Sequence, residues 1–244
     1  ATFLASAAAI LSLRRELPRQ THDKGRSRFE MLLAGVHAVR GQPLFAWFLV
    51  LGATMAGLWM VALWLCVPLA VKDGRLSIFG LEGLAVVGLI TSAYGVGNLA
   101  GNLFVGGLEI RRPLRLVFGG NVIVGAGLAA AGLAAALPPA PLVVPLMMAG
   151  CAAAAFGGPL SDVPFATLRQ TAFAPSEVAA VYRLLIVAEW GGMTLATALA
   201  PLALVGMSSA VLMTACGLGM ALISGASLLR FTTNRYDAAF APAE

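Results

Sequence analysis

The chain has 244 residues, 59% of them hydrophobic and only 11% charged, with a mean hydropathy of +0.89 and a net charge of +5. A soluble domain carries roughly a quarter charged residues to cover its outside, so most of this outside faces something apolar and the chain is an all-α, multi-pass membrane protein. The three cysteines, Cys66, Cys151 and Cys216, sit singly inside apolar runs, which excludes a disulfide framework and a cysteine metal site.

In chain order, residues 1–13 are apolar and are followed by Arg14 and Arg15. A signal peptide carries its basic residues before the apolar stretch, so this order predicts the end of a membrane helix, with earlier parts of a longer chain preceding it. Residues 14–42 form a basic linker. Its second part, "RFEMLLAGVHAVRG", repeats Phe29, Leu32, Leu33 and Val36 at the spacing of one helical face, with Arg28, Glu30 and Arg40 off it. Two readings stand: an amphipathic helix on the inner membrane surface, or a surface helix packed on its own protein.

A spanning helix needs about 20 mostly apolar residues, and six complete candidates follow, at about 44–71, 83–108, 114–137, 142–166, 179–205 and 209–230. The breaks carry turn and stop signals: "KDGRLSIFGLEG" (72–83), "EIRRPLR" (109–115), "PPAP" (138–141) and "LRQTAFAPSE" (168–177). Residues 231–244 are a short tail. Alternating spans place Arg14, Arg15, Arg19, Lys24, Arg26, Arg28, Arg40, Arg111, Arg112, Arg115, Arg169, Arg183, Arg230 and Arg235 on one side, and only Lys72 and Arg75 on the other. Lys and Arg are retained in short cytoplasmic loops, so the first side is expected to be cytoplasmic, the C-terminus with it. This topology accounts for the basic charge without nucleic acid.

Small residues four apart let membrane helices approach closely. Gly97 with Gly101, then Ala149, Ala153 and Gly157, then Ala188, Gly192, Ala196 and Ala200 are the expected seams.

Polar groups inside spans are costly and usually face the bundle interior or a wet cavity. Glu189 falls near mid-membrane, either as a cavity acid for substrate or proton, or as a structural acid bonded to a neighbouring helix. Tyr94, Asn98 and Asn102 make a polar stripe at i, i+4 and i+8, as interhelical glue or as substrate contacts. Asp162 lies within reach of Arg169 or Arg183 as a structural or gating ion pair. Trp59 and Trp64 lie inside the first complete span, where an indole N–H needs a partner. Both histidines, His22 and His37, are in the linker, and no phosphate-binding loop is present. The spans therefore lack a Ser–His pair, a zinc site and an ATPase motif, and nothing calls for a cofactor or an enzymatic reading.

Two segments carry a family resemblance. "YGVGNLAGNLFVGGLEIRRPLR" (94–115) is similar to the glycine-rich helix and basic loop of the second half of major facilitator superfamily transporters. "GGPLSDVPFATLRQTAFAPSEVAAVYRLL" (157–185) resembles the segment of their bacterial drug and siderophore exporter branch in which a Gly-Pro helix ends, a Pro-containing loop follows and an arginine, here Arg183, opens the next helix. Glu109, Arg111, Arg112 and Arg115 keep the loop's charges, with Pro113 among them in place of the family's glycine. The resemblance implies a six-helix bundle, 43–230, that is the second half of a twelve-helix fold. Residues 1–13 would end the first half and 14–42 would link the two. It further implies a bacterial inner-membrane exporter moving a small amphipathic compound against protons, with Trp59, Tyr94, Asn98 and Glu189 on cavity-facing helices and a first six-helix half as partner. From outside the family, the competing reading is a non-transporting membrane scaffold or pseudo-transporter subunit.

Overall fold

The computed structural model describes residues 28–232. The expectations for 1–13, for 14–27 and for the tail beyond 232 lie outside the described residues, as do the side chains of Arg28, Phe29 and Met31. The described residues form seven helices. One is short, α1 (Arg28–Arg40). The other six are long and apolar enough to cross a membrane: α2 (Pro43–Asp73), α3 (Leu84–Gly106), α4 (Pro113–Ala135), α5 (Val143–Ala172), α6 (Pro175–Gly206) and α7 (Ser209–Phe231).

Local chemistry fixes the helix starts. Helices α2, α4 and α6 each begin with proline, at Pro43, Pro113 and Pro175. Proline suits that first position because its missing N–H would have had no intrahelical acceptor. Ser208 caps the start of α7 by accepting the Val211 N–H at 3.3 Å. Between α2 and α3 the chain makes a minimal hairpin, β1 (Ser77–Ile78) on β2 (Leu81–Glu82). Its turn residues Phe79 and Gly80 have φ of 54° and 75°, the mirror-image turn that matches strand twist.

Three sequence expectations change. The polar connection expected at 168–177 is mostly helix, for α5 runs to Ala172 and α6 begins at Pro175. Thr167, Arg169 and Gln170 are polar enough to end a hydropathy run yet compatible with a helix that continues past the apolar layer. Arg183 accordingly sits in the third turn of α6, not at its opening. Second, Pro159 and Pro164 both lie inside α5 without ending it. Third, α1 packs on α6 through Gly35, where an added Cβ would stand 2.6 Å from the Ala180 carbonyl oxygen. Gly35 and Val39 are buried while Leu33 and Val36 stay 39% and 44% exposed. The packed stripe is thus rotated from the predicted apolar face, because a close helix contact selects the smallest residue and a hydropathy pattern gives glycine no weight.

Helix α2 is interrupted in its middle by a π-helical turn, Met60–Cys66. Pro68 follows it, and a proline both lacks the N–H and crowds the carbonyl four residues back. The wider turn relieves that crowding at Trp64, and such bulges often mark working parts of helices.

Packing is organised by α4. One side of it meets α5 and the other meets α7. Gly120 and Gly127, two turns apart, face Gly157 and Gly150 of α5, whereas Gly125 and Gly132 face Gly217 and Ala210 of α7. A Cβ on Gly120 would come to 2.7 Å from the Gly157 carbonyl oxygen, so these backbones touch as only small residues allow. Ala149 and Ala153 of the predicted α5 seam are exposed on a groove outside it; Gly150, Ala154 and Gly157 make the contact.

The remaining contacts repeat. Helix α3 packs on α5, with Gly97 and Gly101 over the backbone of Ala152 and Phe156. Helix α6 packs on α2, with Gly192 over the backbone of Ala53 and Ala196 against Gly57. In both pairs the numbers rise together, so the helices run parallel, as second-and-fourth and fifth-and-first spans must. Exchanging the first three spans with the last three leaves this pattern unchanged. Tyr94, Gly97, Asn98 and Gly101 in α3 then stand in the same order and spacing as Glu189, Gly192, Met193 and Ala196 in α6.

Candidate functional site

A cavity of about 290 Å³ lies between the helices, reaching from their middles toward the end that carries the basic loops. Helix α2 supplies Phe48, Gly52, Met55 and Trp59, α3 supplies Tyr94 and Asn98, and α4 supplies Asn121. Helix α5 adds Ser161, Asp162 and Phe165, α6 adds Glu189 and Met193, and α7 adds Met220. All six long helices contribute. Five of the predicted site residues, Trp59, Tyr94, Asn98, Asp162 and Glu189, thus line one space.

The packing described above aims these side chains. In α3 the glycines at 97 and 101 turn toward α5, which rotates Tyr94 and Asn98 into the cavity one helical row away. In α6, Gly192 and Ala196 turn toward α2 and do the same for Glu189 and Met193. Glu189 and Asn98 each stand opposite a glycine, at ordinary contact distance. Positions for a Cβ on Gly52 lie 3.6 Å from the Glu189 Oε1, and on Gly158 3.8 Å from the Asn98 Nδ2.

At its mid-membrane end the cavity is lined by aromatic residues. The Trp59 Nε1–H donates to the Tyr94 hydroxyl at 3.0 Å, which gives the buried indole its partner. Trp59 also meets Trp64 edge-on, at 6.3 Å between ring centroids. Toward the basic end stands a phenylalanine cluster drawn from four helices. Phe48 stacks on Phe118 at 5.5 Å and meets Phe165 at 4.7 Å, Phe45 meets Phe173 at 4.6 Å, and Phe118 stacks on Phe231 at 6.0 Å.

Neither Glu189 nor Asp162 has a hydrogen-bond or ion-pair partner among the described residues, so the two acids face open cavity and not a fixed partner on a neighbouring helix. Arg169 does not pair with Asp162. Its guanidinium carbon lies 4.4 Å from the Tyr182 ring centroid and 5.8 Å from that of Phe165, a cation–π arrangement that leaves its buried Nε without an acceptor. Arg169 still acts electrostatically on Glu189, as does Asp162.

Other predicted residues lie elsewhere. Asn102 is exposed and turns back on its own helix, donating to the Asn98 backbone oxygen at 2.9 Å and side-chain oxygen at 3.0 Å. Glu109 and Arg111 form an ion pair at 2.8 Å within their own loop, while Arg112 occupies the N-cap position of α4. Those side chains are highly exposed, and such pairs contribute little. Arg183 is exposed on α6.

Asn121, Ser161 and the phenylalanine cluster were not foreseen. Asn121 carried a signal, since it is a lone amide in the apolar run "FGGNVIVG", the same anomaly that singles out Glu189. The phenylalanines carried none, because four helices each contribute one or two.

Compared with models of known families, with curated proteins and with solved structures, the chain matches none. The site must be judged on its own chemistry. It offers two carboxylates, two amides, a phenol and a hydroxyl, all set among aromatic and methionine side chains. Such a space can surround a small amphipathic molecule, and its carboxylates can take or release protons.

Proposed function

We propose that this chain is part of a secondary active transporter, in keeping with its resemblance to major facilitator exporters. In this reading it sits in a bacterial inner membrane with its basic loops and C-terminus in the cytoplasm. It exports a small amphipathic compound, such as a drug or siderophore, in exchange for protons, by alternating access to the cavity. The observation that carries the reading is the convergence of Trp59, Tyr94, Asn98, Asp162 and Glu189, from four different spans, on one mid-membrane space. Polar side chains scattered for helix pairing alone would be bonded to one another across interfaces, and these acids are not.

Two of the helices leave most of their surface open. In the most apolar stretch of α4 56% of residues are buried, against 22% in α3 and 11% in α6. In this reading the first six-helix half implied by the resemblance packs on the open surface of α3 and α6 and closes the cavity between two halves.

In the complete transporter, Glu189→Gln is expected to reduce export driven by a pH gradient at least tenfold while leaving the protein folded. Unchanged export across pH would remove Glu189 from the mechanism. The scaffold reading is separated by labelling cysteines placed at 94, 98 and 189 with a membrane-impermeant thiol reagent. A cavity leaves them reactive and a scaffold protects all three. The background is low because Cys66, Cys151 and Cys216 are buried.

A further inference from the structure

We infer that the groove between the start of α2 and the end of α7 binds an anionic glycerophospholipid from the leaflet on the side of the basic loops, with its phosphate on Arg230. The inference requires only that the six apolar helices lie in a bilayer, so it stands or falls apart from the transport reading.

The groove, of about 440 Å³, is lined by Pro43, Ala46 and Trp47 of α2 and by Arg230 and Phe231 of α7. It shares no residue with the central cavity. Pro43 opens α2 and Phe231 closes α7, so the groove sits where both helices reach the membrane surface. Helical spacing continues it along the bundle. Ala46 is followed by Val50 four positions on, and Arg230 is preceded by Ala226 and Leu222 at four and eight positions, all of them exposed. A charged end thus gives way to an apolar strip, the same order of chemistry as along a phospholipid.

The charge of the groove selects the headgroup. Its lining holds one cation and no acid, the first turn of α2 also lacks an acid, and Arg40, exposed at the end of α1, stands three residues before Pro43. Neither arginine has an ion pair among the described residues. The Arg230 guanidinium carbon lies 5.3 Å from the Phe231 ring centroid, and a guanidinium laid on a ring keeps N–H edges that match a phosphate. Trp47 forms the α2 wall. Its Nε1–H donates to the Ser227 Oγ at 3.0 Å and its ring centroid is 6.2 Å from that of Phe231, which holds the indole at the span end, where tryptophan is enriched. Basic pockets between spans at the cytoplasmic surface bind anionic headgroups. A zwitterionic lipid brings a cation that no acid here meets, and a soluble anion would leave the apolar strip unused.

The test places the full chain in nanodiscs of phosphatidylcholine and reads quenching of tryptophan fluorescence by a phospholipid brominated near the start of its acyl chains. Phosphatidylglycerol is used in one arm and phosphatidylcholine in the other, at equal mole fraction. The quenching that Trp47→Phe removes belongs to Trp47, and it is expected to be at least twofold larger with brominated phosphatidylglycerol. Arg230→Gln should lower it to the phosphatidylcholine value, while Arg230→Lys, which keeps the charge, should retain most of the excess. Arg111→Gln, on the same side but outside the groove, should leave the excess unchanged. Thermal unfolding checks that each variant is folded; should Trp47→Phe not fold, the effect of Arg230→Gln on total tryptophan quenching carries the same decision. Equal quenching by the two lipids, or an excess that survives Arg230→Gln, overturns the inference. So does an excess lost as fully in Arg111→Gln, which marks a diffuse surface potential and not a site. Each of these outcomes leaves the cysteine labelling at 94, 98 and 189, and the transport reading with it, to be decided separately.

Discussion

Helices α3 and α6 occupy equivalent places in the bundle and do different chemistry. Each lays two small residues on a parallel neighbour, Gly97 and Gly101 on α5, Gly192 and Ala196 on α2. Each also turns the adjacent row into the cavity. Where α3 presents Tyr94 and Asn98, α6 presents Glu189 and Met193. The packing rule is duplicated and the polar cargo is not. The lesson is that small residues set the geometry, and the neighbouring row carries different side chains in the two helices on the same packing.

The largest effects should come from breaking the shared rule. Gly97→Leu would drive its side chain into the Ala152 backbone and Gly192→Leu into that of Ala53. Overpacking of this kind costs about 1–3 kcal/mol or more, so both variants should unfold at clearly lower temperature or fail to accumulate in the membrane. Comparable losses at the two positions support the equivalence; a loss at only one breaks it. Gly52→Ala is the control, because its Cβ meets Glu189 at an ordinary 3.6 Å, and it should unfold like the parent protein.

Next in size are the changes that touch chemistry and not packing. Glu189→Met, which copies neither the charge nor the hydrogen-bonding capacity of the acid, should abolish pH-driven export at unchanged thermal stability. Tyr94→Phe at the equivalent site should keep most export, since the aromatic body stays and only the hydroxyl is lost. If Tyr94→Phe proves the more damaging, α3 and not α6 carries the critical group.

Smallest is Trp59→Phe in the absence of ligand. It deletes the hydrogen bond to Tyr94, and side-chain hydrogen bonds between membrane helices average about 0.6 kcal/mol. Unfolding midpoints should shift only slightly. A large drop would mean that the Trp59–Tyr94 contact is a structural tie between α2 and α3 and not the lining of a cavity.

The helices were legible because membrane spans write themselves in hydropathy, and Gly97, Gly101 and Gly192 because close backbone contact demands small residues. The end of α5 was not, since residues 167–172 leave the apolar run without leaving the helix. Nor was the rotation of α1, where Gly35 outweighs Leu33 and Val36. Of the site, Glu189, Asn98, Tyr94 and Trp59 stood out as polar groups in apolar surroundings, and Asn121 met the same criterion. The position of Asp162 on the cavity, away from an arginine, depends on how α5 and α6 cross, which one sequence does not encode locally. The same holds for the phenylalanine cluster.

The central claim is that one row of α3 and the matching row of α6 line one shared cavity. Cysteine scanning along 93–100 and 188–195 with an impermeant thiol reagent tests it most directly. The account predicts reactivity at 94, 98, 189 and 193, and silence at Leu99 and Leu195, which are 61% and 62% exposed on the outer faces of the same helices. Uniform protection along both helices, or reactivity without helical periodicity, would contradict it.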